Sequence, residues 1–369
     1  MMKRILLVLC SSYVALLLLL SGVMMIVSMV PHERVAAHMV QSCSQLRAEG
    51  LYPEQWGIPL MRIDTFTDAL MLNMAWCADD TTPIRSAMLN RFYTDDDMQV
   101  FDRTMDLVSS HASDGFYMPY GRYWHGHQTI VRPLLTVTDY AGILRFGKWC
   151  FWILLALTLW LVGRRLSWSM AVILGASLLL TSIWCVPECI QFSTCFYLSF
   201  LGIIVVLQWP WTVQTSMRFA VTFFVVGALT TFFDILTTPQ VTLCLPLLMV
   251  LLRSERNVRL HRFLLGTISW GLGYAMLWLS KCVIAWLLTG ENVVADFLQN
   301  ARSRSLAGVS GLLDLLSEKI PEIPWHSLSL AATLFILLLM VITIMNNYLV
   351  YSTSPMISDP SRYRKHTSE

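Results

Sequence analysis

Long apolar runs separated by short polar or basic stretches dominate this chain. Eight stand out, at about 5–30, 149–163, 167–186, 190–208, 217–235, 240–252, 263–288 and 327–350. A helix that crosses a bilayer needs about 20 mainly apolar residues. Six of the runs meet or approach that length. The run 149–163 is short, and either extends back through TVTDYAGILRFGK or follows an interfacial helix. The run 240–252 begins after Pro239 and is expected to be tilted or buried among its neighbours. The first run follows MMKR and is longer than the roughly 7–15 residues of a signal-peptide core. It reads as a retained signal-anchor helix.

The pattern predicts an all-α polytopic membrane protein with about eight spans and one long polar excursion. Its parts are a signal anchor (1–30), an extracytoplasmic loop region with interfacial helices (31–148) and a six-helix bundle (149–288). A second outer loop (289–326), a last span (327–350) and a tail (351–369) follow. In the long loop, ALMLNMAW and MQVFDRTMDLVSS have helical spacing, whereas DTTP and SDGFYMP are turn signals. The loop is too apolar for an independent soluble domain and should pack over the outer mouth of the bundle. LAGVSGLLDLLSEKIPEIPW reads as an amphipathic interfacial helix ended by Pro321 and Pro324.

Orientation follows from the basic residues. Lys3 and Arg4, Arg164 and Arg165, Arg218, the four arginines from Arg253 to Arg262, and the tail SRYRKHTSE all fall on one side if eight spans alternate. Positive residues favour the cytoplasmic side, so both termini are expected there, in the inner (plasma) membrane. Composition agrees. The chain is 56% hydrophobic and 14% charged, against about 25% charged in soluble domains. A net charge of +2, sorted by loop, gives no reason to expect a nucleic-acid partner. Of the nine cysteines, five lie in apolar runs and read as small hydrophobes. Cys43 and Cys77 could pair if the outer loop is oxidised. Cys185 and Cys189 read as packing residues.

The candidate chemistry gathers on the outer side. Ionisable groups at membrane depth are costly and mark sites by default. Asp64 and Asp68 share a helical face, and either could serve as a general base; the alternative is an N-cap and a first-turn acid. Asp79 and Asp80 could hold a divalent cation, or form a solvated turn. In YGRYWHGHQTIVRP, Arg122, His125, His127 and Arg132 bracket Tyr123 and Trp124. Arginine suits phosphate, and the aromatic faces suit a sugar ring or the interfacial belt. Asp234, between two apolar runs, precedes Pro239 and Gln240 at the start of a helix whose N-terminus would face outward, a ready anion site. A structural pair with Arg122 or Lys281 is the alternative for it. Glu188 repeats that arrangement before another helix. Lys281 either snorkels to the surface or offsets a buried phosphate. Arg302 and Arg304 would meet lipid headgroups or a carrier phosphate.

An external loop after the first helix, with polar helix ends meeting on the outer face, resembles the layout of the GT-C class of membrane glycosyltransferases. That resemblance covers architecture and residue type over most of the chain, without a long diagnostic motif. It implies a polyprenyl-phosphate-linked sugar as donor and an envelope glycan as acceptor. It implies Asp64 or Asp68 as base or metal ligand, and Arg122, His125 and Lys281 as carrier-phosphate contacts. No cofactor beyond an optional divalent metal is implied. The adjacent acidic pair often seen in that class is matched by Asp79 and Asp80, further along. Two other readings compete: a transporter or flippase of a lipid-linked or anionic substrate, and a non-catalytic envelope-assembly protein.

Overall fold

The computed structural model describes residues 2–57, 62–94, 100–109, 115–295 and 297–298. The expected amphipathic helix, the last span, the tail, and Arg302 and Arg304 lie outside the described residues. Five helices are long and apolar enough to cross a membrane, and two shorter apolar helices accompany them. The long ones are α1 (Met2–Ser28), α7 (Tyr140–Arg165), α9 (Ile190–Gln208), α10 (Ser216–Phe233) and α12 (Arg256–Thr289). The short ones are α8 (Trp168–Leu180) and α11 (Gln240–Arg253). At 1.5 Å per residue α8 and α11 reach only about 20 Å. A 3-10 turn, Ile183–Glu188, carries the chain on from α8 after Ser182 enters the left-handed region at φ 57°.

Capping residues set the helix ends. Asp139 accepts from the Gly142 N–H at 2.8 Å and starts α7, which explains why this helix begins nine residues before the apolar run does. Ser167 and Thr215 cap α8 and α10 in the same way. Gly290 in the left-handed region ends α12. The bundle is closest between α10 and α12. A Cβ on Gly227 would lie 2.0 Å from the Trp270 carbonyl oxygen, and one on Gly273 would lie 2.0 Å from that of Phe224. Hydrogen at these two positions lets the backbones touch, the small-residue packing common to membrane helices. Exposed positions on the apolar helices carry large apolar side chains such as Leu18, Trp149, Ile153 and Leu180.

Between α1 and α7 the chain builds a layer over one end of the bundle. Its helices are α2 (His32–Glu49), α3 (Thr65–Cys77), α4 (Pro83–Leu89), α5 (Val100–Val108) and α6 (Gln128–Leu135). The all-helical expectation needs one correction here. SDGFYMP is more than a turn, because β2 (Phe116–Met118) pairs antiparallel with β1 (Phe92–Thr94). Asn73 of α3 holds this strand pair by donating to the Tyr93 carbonyl at 3.1 Å and accepting its N–H at 2.8 Å. The layer has its own apolar core of Val35, Met39, Leu46, Leu72, Val131 and Leu135, shared with Tyr140 and Ile143 of α7. A second core joins α1, α4 and α12 through Leu20, Met24, Met88, Trp124 and Leu277. The layer is therefore part of the bundle's packing.

Candidate functional site

The aromatic and basic segment after Tyr120 forms a joint between layer and bundle. Trp124 is fully buried, donates from Nε1 to the Leu277 carbonyl at 2.9 Å, and packs on Phe232. His125 adopts φ 55°, a region uncommon for a residue with a Cβ. Gly126 then presses on Phe232 so closely that a Cβ would lie 2.4 Å from its ring, and its N–H donates to the Phe232 carbonyl at 2.8 Å. The rings of His125 and His127 lie 5.4 Å apart. Burial holds both well below the ordinary histidine value, His127 down to about 3. Both are neutral at physiological pH. The Arg122 guanidinium lies 4.3 Å over the Tyr120 ring, with Tyr123 at 5.6 Å. Arg132 is buried and donates to the carbonyls of Ala75, Ala78 and Val30 at 2.6, 3.0 and 2.6 Å. It thereby takes up the free carbonyls at the ends of α3 and α1.

The acids expected to be catalytic are also engaged. Asp64 is the N-cap of α3, accepting from the Thr67 N–H at 2.9 Å and its hydroxyl at 2.8 Å. Asp68 is wholly buried. Its oxygens accept from the Tyr140 hydroxyl at 2.7 Å and from the N–H groups of Ile190 and Gln191 at 2.8 and 3.2 Å. It acts as a cap for α9 supplied from α3. Burial raises its pKa to about 7, against the lowering effect of those bonds. With no exposed oxygen, Asp68 cannot reach an acceptor hydroxyl in this conformation. Glu188 is paired with Lys148 at 2.7 Å. Asp234 accepts from the N–H groups of Leu236 and Thr237, both at 3.0 Å. This is a turn closed on its own backbone, and among the described residues it has no ion pair with Arg122 or Lys281. Gln191 donates to Thr237 at 3.2 Å, and Gln240 is exposed at the start of α11. Lys281 does not snorkel. It is fully buried, donates to the Ala87 carbonyl at 2.8 Å, and lies 5.3 Å from the Trp124 ring centre.

A polar cleft of about 410 Å³ opens elsewhere in the layer, at the C-terminal end of α3. It is lined by Trp76, Asp79, Asp80, Arg85, Arg91 and Tyr117, with His32 beside Trp76. The Asp79 oxygens accept from the Thr81 N–H and the hydroxyls of Thr81 and Thr82. Those bonds hold its carboxyl below the ordinary value, the Thr81 hydroxyl foremost. Asp80 is engaged more weakly, accepting from the His32 N–H at 3.3 Å through one oxygen. Arg85 and Arg91 both approach the same Glu291 oxygen, each at 3.8 Å. The cleft thus combines a lightly held carboxylate, two guanidiniums and two flat aromatic faces.

No family model matches this chain, and no curated protein or solved structure matches it significantly. The cleft was only half legible in the sequence. Asp79 and Asp80 stood out as an acidic pair, but their turn looked no different from a solvated one. His32, Arg91 and Tyr117 join it from α2, the link before β1, and β2. Among the described residues no three His, Cys, Asp or Glu side chains gather as a metal-ligand set. Cys43 and Cys77 are both free thiols, Cys43 buried in the layer core and Cys77 donating to the Asn73 side chain at 3.3 Å.

Across α6 from the cleft lies an apolar groove of about 270 Å³ between α6, α7 and α9. His127, Leu134, Phe146, Cys150, Ile190 and Tyr197 are among its walls. Among the described residues, neither ring nitrogen of His127 has a hydrogen-bond partner.

Proposed function

We propose that this protein is a membrane glycosyltransferase that moves a sugar from a polyprenyl-phosphate carrier to an envelope glycan on the outer face of the inner membrane. The observation that carries the reading is the cleft beside Asp80. Saccharide sites pair carboxylates with flat apolar faces, and phosphate sites favour guanidinium forks; here both occur in one opening at an end of an apolar bundle. The apolar groove beside α6 suits the carrier's hydrocarbon chain.

In this reading Asp80 takes the proton of the acceptor hydroxyl, and the freed oxygen attacks the anomeric carbon. The bond from that carbon to the phosphate oxygen breaks, and polyprenyl phosphate leaves. Arg85 and Arg91 turn from Glu291 to the leaving phosphate, whose growing charge they offset. Trp76 and Tyr117 hold the ring faces. Asp64 and Asp68, which the resemblance suggested as bases, keep structural roles.

The test is transfer of labelled sugar from a panel of polyprenyl-phosphate donors by the full chain in lipid nanodiscs. A general base contributes about 10²–10⁴-fold. Asp80→Asn should therefore lower turnover about 100-fold or more without changing the melting temperature, whereas Asp64→Asn should keep most of it. Absence of transfer with every donor and acceptor, from folded protein, would refute the reading. Full activity in Asp80→Asn would remove Asp80 from the role.

A further inference from the structure

The end of the bundle away from the layer carries a feature that catalysis at the cleft does not use. Its helix ends and connections, at 164–167, 208–218 and 253–262, hold seven arginines and one carboxylate, Glu255. A pocket of about 400 Å³ opens there, with Trp211, Gln214, Arg253 and Arg262 in its wall. An apolar groove of about 440 Å³ runs from the same Trp211 along α1, α9 and α10. Val8, Leu201, Val205, Val221, Val225 and Leu229 line it. Two threonines in its wall are already engaged: the Thr222 hydroxyl donates to the Thr212 carbonyl at 3.1 Å, and the Thr212 hydroxyl to the Trp209 carbonyl at 2.7 Å. Arg218 stands at the mouth of the groove with its guanidinium 5.8 Å over the Trp211 ring.

We infer that pocket and groove together form one site for an anionic glycerophospholipid. The groove offers an apolar chain no polar partner to displace. From Met217 to Leu229 it follows α10 for about 18 Å at 1.5 Å per residue, close to one leaflet of a hydrocarbon core of about 30 Å. The head of such a lipid would meet Arg218, Arg253 and Arg262. Among the described residues none of these guanidiniums has a carboxylate within ion-pair distance. Arg262 donates once, to the Ser254 hydroxyl at 3.0 Å, and keeps its other N–H groups for a phosphate. Trp211 belongs to both walls and sits where interfacial tryptophans sit. Charge selects the occupant: a zwitterionic lipid would fill the groove equally well but would leave the cluster of arginines unneutralised.

The test is retention of phosphatidylglycerol against phosphatidylcholine by the detergent-purified full chain, read by native mass spectrometry. At least tenfold preference for phosphatidylglycerol is expected, falling to about none in the triple variant Arg218→Gln, Arg253→Gln, Arg262→Gln. Equal retention of the two lipids, or an unaffected triple variant, would overturn the proposal. Val225→Trp, which fills the groove without touching the arginines, should displace the lipid as well and serves if the triple variant does not fold. A photoreactive residue at 225 in membranes should label lipid; labelling of a peptide from 327–350 instead would show that the chain fills its own groove, and would overturn it too.

Discussion

Asp68→Asn separates a structural acid from a catalytic one. The carboxylate takes three donors, from Tyr140, Ile190 and Gln191. Asparagine keeps one oxygen and turns an N–H₂ group towards the others, so at least one buried donor loses its partner, at a cost of about 1–3 kcal/mol. Loss of negative charge at the N-terminus of α9 adds about 0.3–1 kcal/mol. The pH dependence gives a second handle. Folding raises the pKa from 3.8 to about 7, so between those values the folded protein holds a proton that the unfolded chain has released. The contribution of this group is fully present below pH 3.8 and lost as pH rises through about 7. Three pKa units correspond to about 4 kcal/mol. The protonated carboxyl keeps its bonds, accepting through its carbonyl oxygen and donating to the Tyr140 oxygen. Unfolding of wild type and variant in detergent at pH 4.5, 6 and 7.5 should show wild-type stability falling by a further few kcal/mol, relative to Asp68→Asn, as pH rises. A variant as stable as wild type with the same pH profile, yet without transfer activity, would refute the argument and restore Asp68 as a catalytic candidate.

Arg132→Met should be among the most damaging single changes in the layer, because it leaves the carbonyls of Ala75, Ala78 and Val30 without their donor; each buried acceptor left unsatisfied costs about 1–3 kcal/mol, read as a lower melting temperature and loss of monodisperse protein. Gly227→Ala and Gly273→Ala must each push α10 from α12 by about 1 Å to relieve contacts of 2.0 Å with backbone oxygens. Overpacking of that kind costs about 1–3 kcal/mol, and a thermal shift no larger than that of Gly271→Ala, where a Cβ meets nothing within 4 Å, would contradict the packing. His127→Phe removes two buried ring nitrogens that lack partners, so the melting temperature should hold or rise; a fall of several degrees would reveal a partner for this ring.

The helical bundle was largely legible because apolar runs report membrane length directly. Residues 190–208 were expected and α9 runs from Ile190 to Gln208. The sequence leaves the start of α7 open between an extension back through TVTDYAGILRFGK and a preceding interfacial helix, and the structure gives the extension, from Tyr140. Arg145 and Lys148 make the stretch look like a loop, but Lys148 is neutralised by Glu188, forty residues on in sequence. The strand pair was missed because its two strands are three residues each, lie on either side of α5 and are fastened by Asn73 from a helix. The site was legible only in its inventory. Polar residues between apolar runs stood out as unusual, but nothing local distinguishes a group that meets a ligand from one that meets a helix end. Asp68 and Asp80 sit only twelve positions apart. One is covered by α7 and α9, and the other borders an opening made by α2, Arg91 and β2.

The buried ionisable groups follow a rule that gives the cleft its support. A helix that stops against another layer, instead of in water, leaves N–H groups at its start and carbonyls at its end without partners. Asp68 meets the start of α9, Arg132 the ends of α3 and α1, and Lys281 the end of α4. Each sign is the one that the helix dipole favours, anion at the N-terminus and cation at the C-terminus. These charges are therefore matched to backbone termini rather than to one another, which is why so few buried ion pairs accompany them. The result is a layer bolted in register to the bundle at several separate points. Arg132 holds the Ala78 carbonyl, one residue before the acidic pair, and Lys281 holds α4, which carries Arg85. The lightly held carboxylate of Asp80 and the guanidinium of Arg85 both line the cleft, and the segment carrying each is anchored by one of these buried cations. In the mechanism proposed above, such anchoring would hold Asp80, the base, at a fixed distance from the leaving phosphate.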